Sequence, residues 1–487
     1  MLNKSKNKKG LNLALVLLTI ILIFNLFTVS IYAQSVKITK EELREIAQKT
    51  IDYYQDRYKE REFKGILDWP AFGLFGFEED VSGEKWTTED GKNGAYWREQ
   101  QVKEGIGLRS SASTDYQRTI IGVCSAGKNP RDFGGINLVE KVKSTLLPSG
   151  KFADSLEDNT TGEPVGEDLI NAHIFGIISL YCAGEPIPNR DKVLKWLVDK
   201  QHPDGGFTYD VKYFEDPEDY YLIDSDIDMT ASALMALGIL GEDQFNEVVQ
   251  KALNFLHERQ LDNGGFDSWG TINPESCSWV ILGLNSIGEN PVGEKWTKEN
   301  GNNPVTAMLE FQLEDGSFTH VLSKYGNYRI SSNAMATEQG LYGMASAYNE
   351  KSLFKMLHEK YRPEAEKHLF TDYKPGDFGF KEAMDLVYKY ELSGHLDGTF
   401  KPNDPIKKLE LGKILSDENY STNENITGEE FIMAIIKNVN LEENSFEGYF
   451  KLAHEKGFVY ENFNPNKPVT RAQCAWSIKR LRESQGL

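Results

Sequence analysis

Residues 223–231 read IDSDIDMTA, with Asp224, Asp226 and Asp228 at alternate positions directly ahead of the apolar run SALMALGIL. Three carboxylates so close together can protonate a substrate, hold a cation or cap a helix. Protonating a carbon–carbon double bond needs a neutral acid, hence a raised pKa or a proton held by neighbours. A helix N-terminus works against this, because its free amides and macrodipole favour the charged form. A cap is therefore the default role of Asp228. Asp224 and Asp226, which a cap does not require, become candidate ligand contacts. The other candidates are polar or aromatic residues near the starts of apolar runs: His173 in NAHIF, Glu338 in ATEQGLYG, and Tyr116 and Tyr221. His173 and Glu338 are equally explained by internal hydrogen bonds. There is no Gly-x-Ser-x-Gly elbow and no P-loop.

The elements that position these residues follow from a repeat. QHPDGGF (201–207), QLDNGGF (260–266) and QLEDGSF (312–318) align without gaps, and LLPSGKF (146–152) is a weaker copy. Amphipathic runs such as VVQKALNFLHER precede the strong copies, and their three- and four-residue apolar steps predict helices. The glycines end them in tight turns. A second, more apolar helix follows each loop, with Asp68, Asp115, Asn171, Asp228, Ser276 or Asn333 expected as its cap. A helix apolar on every side must be surrounded. The expectation is an all-α fold, six helical hairpins forming an inner ring inside an outer ring over about residues 40–350. GEKWTTEDGKN (83–93) and GEKWTKENGNN (293–303) share eight of eleven residues, a further sign of duplication.

The Gln-to-Phe turns and the DMTA helix start resemble the prenyltransferase and squalene-oxidase repeat, which implies an α/α toroid over residues 34–362. Class II terpene cyclases of that group carry Asp-x-Asp-Asp-Thr-Ala. Laid on this chain, the motif falls on Asp226-Ile227-Asp228-Met229-Thr230-Ala231, placing the proton donor on Asp228 and Met229 where the last acid belongs. The protein prenyltransferases use an Asp-x-Cys pair and a His for zinc. Glu275-Ser276-Cys277 mimics the pair, but the next helix start offers no His and His320 lies in the preceding loop. No metal and no other cofactor is therefore expected.

Composition bounds the rest. Basic residues followed by the apolar run 11–27 and Ala33 predict a signal peptide over residues 1–33. The net charge of −20 becomes −20 − 4 = −24 once its four lysines are gone. An acidic chain is a poor nucleic-acid binder, and no later segment is apolar enough to span a membrane. The four cysteines fit neither a disulfide framework nor a CxxC site. Residues 363–487 resemble surface-layer homology modules: FTDYKPGDFGFKEAMDLVYKYELSGHLDGTFKPNDPIKKLE, KLAHEKGFVYENFNPNKPVTRAQ and a shortened middle copy. That resemblance implies binding to secondary cell-wall polysaccharide through Thr470 and Arg471, with Arg471 meeting an anionic group, and a place in the bacterial cell wall or S-layer.

Together these signs lead to the expectation of an exported, wall-anchored protein whose toroid binds a small molecule or glycan without catalysing. The alternatives are a cyclase-like or glycan-active enzyme using Asp228 as acid, and an inert envelope spacer.

Overall fold

The structure, a computed structural model, describes residues 38–60, 68–211, 225–268, 270–395 and 397–486. The leader read at residues 1–33 and the ligand candidates Tyr221 and Asp224 lie outside these residues. The described chain divides into two compact units, one of residues up to 178 and 194–353, the other of 179–193 and 354 onward.

Among the described residues of the first unit, helices come in six pairs, each a half-buried helix followed by one buried on most sides. They are α1 (Lys40–Glu60) with α2 (Asp68–Gly76), α3 (Gly94–Lys103) with α4 (Ser113–Ser125), and α5 (Leu138–Lys143) with α6 (Ile170–Cys182). Then come α7 (Arg190–Val198) with α8 (Ile227–Ile239), α9 (Glu247–Arg259) with α10 (Pro274–Ser286), and α11 (Pro304–Leu309) with α12 (Ala334–Asn349). The last turns of α6 and the start of α7 belong to the second unit. The two kinds differ as their sequences require. On α9 only the stripe Val248, Val249, Ala252, Leu253, Phe255 and Leu256 is buried. On α8 every residue from Thr230 to Leu237 is. The even-numbered helices form the inner ring: α2 packs on α4, α8 on α10, α10 on α12, and α12 returns to α2. Gln117 of α4 donates to the Ala172 carbonyl of α6 at 2.8 Å, adding the next link.

The repeated glutamines hold the outer layer together. Each Gln amide donates to its own turn or to the next outer segment: Gln201 to Gly205 O and Val248 O, Gln260 to Gly264 O and Trp296 O. Gln312 closes the circle, donating to Ile46 O at 3.0 Å and Thr50 Oγ1 at 2.9 Å on α1. Gly316 of that turn has φ +83° and lies against the Lys49 carbonyl, so a side chain there would be both strained and crowded. Replacing Gln312 with Ala leaves the Ile46 carbonyl without this donor and should cost about 1–3 kcal/mol. Urea unfolding of the variant checks this, and a change at an exposed position such as Glu45→Ala should fall within about 0.5 kcal/mol of wild type.

The duplicated GEKW segments also fold alike. Trp86 and Trp296 are buried in short 3-10 turns, each donating its indole N–H to Glu79 or Glu289 at 3.1 and 3.3 Å.

The second unit holds α13 (Leu353–Glu366), α14 (Phe380–Tyr388), α15 (Lys408–Leu415), α16 (Gly428–Asn438), α17 (Phe446–Glu455) and α18 (Arg471–Gln485) around one apolar core. The segments entering α15, α16 and α18 meet in a cycle of backbone hydrogen bonds: Ile406 N to Val469 O, Val469 N to Ile426 O, Ile426 N to Ile406 O. At two junctions a cation of one segment meets a carboxylate of the next, Arg471 with Glu410 and Lys408 with Glu430. At the equivalent third junction the pair would be Gly428 with Gln473, so cation and anion are missing together. Gln473 bonds Tyr460 Oη instead, at 2.6 Å. Thr470 caps α18 by accepting from Gln473 N.

Candidate active site

The inner helices begin on one pattern, and the pattern sorts structural residues from spare ones. The fourth residue of α8, α12 and α6 is Thr230, Thr337 and His173. Each accepts the amide N–H of a turn phenylalanine: Phe207 to Thr230 Oγ1 at 2.9 Å, Phe318 to Thr337 Oγ1 at 2.9 Å, Phe152 to His173 Nδ1 at 3.2 Å. The fourth residue of α10 is Cys277, whose sulfur takes the Phe266 amide in the same way, while burial pushes its thiol up to about 12. His173 is fully buried and its ring lies 4.5 Å from that of Trp196 on α7. His173 and Cys277 thus anchor turns, as the two threonines do.

The caps also differ from expectation. Asn333 does cap its helix, accepting from Ala336 N. Asp226, not Asp228, caps α8, accepting from Met229 N at 2.8 Å. Asn273, not Ser276, caps α10, with Pro274 as its first residue. Asp115 lies inside the first turn of α4, and Asn171 inside α6. Asp228 is thereby released from the role its sequence suggested.

Asp228 and Glu275 occupy the same place, the second residue, on the adjacent helices α8 and α10. Asp228 is partly exposed as a residue, yet its Oδ1 is shut off from solvent and makes no hydrogen bond within the described chain. Burial pushes its carboxyl up to about 7, helped by the charge of Asp226 and, more weakly, Glu275, while the Ser276 hydroxyl beside it opposes the rise. The Glu275 Oε2 is likewise buried without a hydrogen-bond partner among the described residues. Burial also raises Asp226 and Glu275, the latter opposed by His320, whose Nδ1 lies 2.9 Å from Glu275 Oε1. On α12, burial pushes Glu338 up to about 8, with Arg118 opposing and Asp68 adding to the rise.

Aromatic rings adjoin these acids. Trp69 of α2, Phe175 of α6, Trp279 of α10 and Tyr342 of α12 meet with centroids 5.7–6.2 Å apart, so that α6 and α10 reach across the ring to α2 and to each other. Tyr342 carries the cluster to the carboxyls: burial and the charges of Glu338, Asp228 and Glu275 all raise its phenol. Tyr116 belongs to the α4 side, where burial, Glu157 and Asp115 raise its phenol. Asp68 and Asp115 are compensated acids, held by Arg98 and Arg118, and by Arg109 and Arg118. A cavity of about 240 Å³ opens elsewhere, between the start of α1 and residues 292–306, and contains none of these groups. Among the described residues no set of three or more His, Cys, Asp or Glu side chains is arranged to hold a metal ion. None of their helices is long and apolar enough to cross a membrane.

The raised carboxyls set a stability trend with a definite sign. Asp228 and Glu338 hold protons in the folded chain at pH values where the unfolded chain has lost them, so their contribution is full below about pH 4 and is lost as pH rises through about 7 and 8. The melting temperature should therefore rise as pH is lowered from 8.5 to 6, and Asp228→Asn should flatten that slope. A melting temperature that falls over this range would contradict the assignment.

In the second unit, Arg471 is 3% exposed, its guanidinium bonded to Glu410 and the Ser393 carbonyl and lying over the Phe400 ring, with Nε unpartnered. The anion it meets is internal.

Residues 220–347 match the squalene-hopene cyclase C-terminal domain family. A copalyl diphosphate synthase of Streptomyces anulatus is 27% identical over 157 residues, covering 31% of this chain and 27% of that protein, so the chain matches only about a quarter of that relative's length. Among solved structures, the apo type II terpene cyclase MstE from Scytonema is 11% identical with a TM-score of 0.42, covering 63% of this chain and 99% of that one. A protein from Actinoplanes is 12% identical with a TM-score of 0.37, covering 65% and 99%. By its paired inner and outer helices and the match over residues 220–347, the first unit is a terpene-cyclase-like α/α toroid.

Proposed function

We propose that the toroid is a proton-initiated cyclase acting on a linear isoprenoid polyene. The observation that carries this reading is Asp228: it is not a cap, its Oδ1 is buried and unpartnered, and its carboxyl keeps a proton near neutral pH beside an aromatic cluster. In the reaction, the Asp228 O–H bond breaks as its proton adds to a terminal double bond, whose π electrons form the new C–H bond. A carbocation and a carboxylate result. Both charges meet fixed partners. The first-turn amides of α8 and the Ser276 hydroxyl favour the carboxylate, and the rings of Trp69, Phe175, Trp279 and Tyr342 favour the cation. The helix dipole, which opposes a neutral acid in the resting state, thus favours the transition state over the ground state. The stretch matching the squalene-hopene cyclase C-terminal domain includes Asp228, Glu275 and Glu338, which supports the substrate class. Incubating the purified full chain with squalene and with a C20 prenyl diphosphate tests the proposal. A cyclised product supports it, and unchanged substrate in both incubations contradicts it.

For the second unit the proposal is export and attachment to cell-wall polysaccharide. Its support is the threefold cycle of motif segments and the basic leader with its apolar run. An acidic group of the polymer would exchange with Glu410 for the Arg471 guanidinium. Sedimentation of the chain with purified bacterial cell walls is the check, and a chain left in the supernatant rejects it.

A further inference from the structure

We propose that the hairpin of residues 319–332 is a binding surface for the isoprenoid chain, and that it favours polyenes long enough to reach from Asp228 onto it. The inference rests on the polyene reading given above. Five of the thirteen exposed large apolar side chains among the described residues fall in one short stretch: Leu322, Tyr325, Tyr328, Ile330 and Met335. Their exposures run from 43% to 58%. Single exposed apolar residues are ordinary, while a group of them marks a surface with a partner. Every residue from Leu322 to Ile330 is exposed, so the described chain leaves this group uncovered.

The hairpin is nonetheless held in a definite place. Thr319 bridges to Ser332, Ser331 N donates to Thr319 Oγ1 at 3.2 Å, and Asn333 N donates to Phe318 O. Tyr53 Oη lies 3.1 Å from Ser332 Oγ and ties this base to α1. Toward α10, His320 Nδ1 meets Glu275 Oε1 at 2.9 Å. The Tyr325 hydroxyl stands where a side chain on Gly270 would be. Ser268 of that same turn reaches Asp226 Oδ2 at 3.4 Å. These contacts set the hairpin at the end of the ring where Asp228 lies. Met335 takes on α12 the second place that Asp228 and Glu275 take on α8 and α10, so the apolar stretch adjoins the acid directly.

A linear polyene fits this placement. It is apolar along its length and must bring its terminal double bond to Asp228. Trp69, Phe175, Trp279 and Tyr342 meet across the ring, so the rest of a long chain runs over the helix starts, where Met335 leads onto the hairpin. A chain covered there also keeps water from the carbocation.

Squalane, the saturated C30 hydrocarbon, separates binding from chemistry, because it has no double bond to protonate. Its affinity for the purified full chain is measured with labelled squalane by equilibrium gel filtration. Leu322→Ser combined with Ile330→Ser should weaken that affinity by about tenfold or more, the scale of losing two large apolar contacts. The saturated C15 hydrocarbon farnesane should lose far less. Both positions are exposed, so the fold should hold. Phe245→Ser, at a residue 82% exposed beyond the C-terminal end of α8, should leave squalane binding unchanged. Equal squalane affinity in the wild type and the double variant overturns the hairpin surface and leaves the cyclase reading standing. Hairpin-dependent squalane binding by a chain that cyclises nothing keeps the surface and removes the cyclase. A wild-type chain that binds no squalane overturns the proposal outright. Lys324 and Arg329 stand on the same exposed stretch and would suit an anionic bilayer. Sedimentation of the wild type, but not the double variant, with isoprenoid-free phosphatidylglycerol vesicles would assign the surface to a membrane and overturn the proposal.

Discussion

Asp228→Asn should reduce cyclisation of a polyene substrate by about a thousandfold or more while leaving the toroid folded, because a positioned general acid is worth up to about ten-thousandfold and the amide has no proton to give to an alkene. The change is nearly isosteric. It removes a group that burial and Asp226 hold near neutrality, so folding loses a titration and no packing. The pH profile gives the same claim a sign. The acid form of Asp228 is lost as pH rises through about 7, so the wild-type rate should fall above that value. The residual activity of Asp228→Asn should not follow that fall. Product analysis at pH 6 and 8.5, with circular dichroism to confirm folding, measures both. A rate that rises through this range would assign the chemistry to a base instead.

The largest effect on stability should come from Asp68. Its carboxylate, 1% exposed, accepts from Arg98 Nε at 2.9 Å, Arg98 Nη2 at 3.2 Å and Arg118 Nε at 3.1 Å. Asp68→Asn leaves the Arg98 guanidinium, 4% exposed, without a counter-charge, and breaking a buried pair in this way costs about 3–5 kcal/mol. Arg98→Ala should cost less in electrostatics, since Asp68 keeps Arg118 and Thr119. Urea unfolding of the two variants reads the difference. Equal midpoints would mean that the network acts as one pair and that Arg118 adds nothing.

The ring architecture was legible because it repeats. The spacing of Gln, Gly and Phe recurs without gaps, and in the structure each of the three does the same thing at every copy. The Gln amide reaches the next segment, the Gly turns, and the Phe amide finds the fourth residue of an inner helix. What the repeat concealed was the helix start. Asp228 looked like a cap because it is the last acid before an apolar run. The backbone stays extended only to Asp226, which bridges to Phe207, and Ile227 already belongs to the helix. The Asn273-Pro274 pair carried the true signal for α10, a cap followed by proline, and Ser276 drew the reading away from it. His173 and Cys277 drew attention by residue type. Their equivalence to Thr230 and Thr337 emerges only when helices are aligned from their observed starts, since the loops between turn and helix differ in length. The meeting of His320 with Glu275 spans 45 residues and depends on how one hairpin folds back, which no local pattern encodes. In the second unit, the middle copy reads Thr427-Gly428-Glu429-Glu430 where the last copy reads Thr470-Arg471-Ala472-Gln473. By equivalence with the Arg471–Glu410 and Lys408–Glu430 junctions, Gly428 and Gln473 remove both charges of the third junction at once.

The most direct test of the central claim is to run the reaction of the full chain with a C20 prenyl diphosphate in D2O and examine the product by mass spectrometry. Proton-initiated cyclisation by Asp228 predicts a cyclic product carrying one deuterium from solvent, with the diphosphate retained. A cyclic product without deuterium, or one that has lost its diphosphate at initiation, would contradict the account.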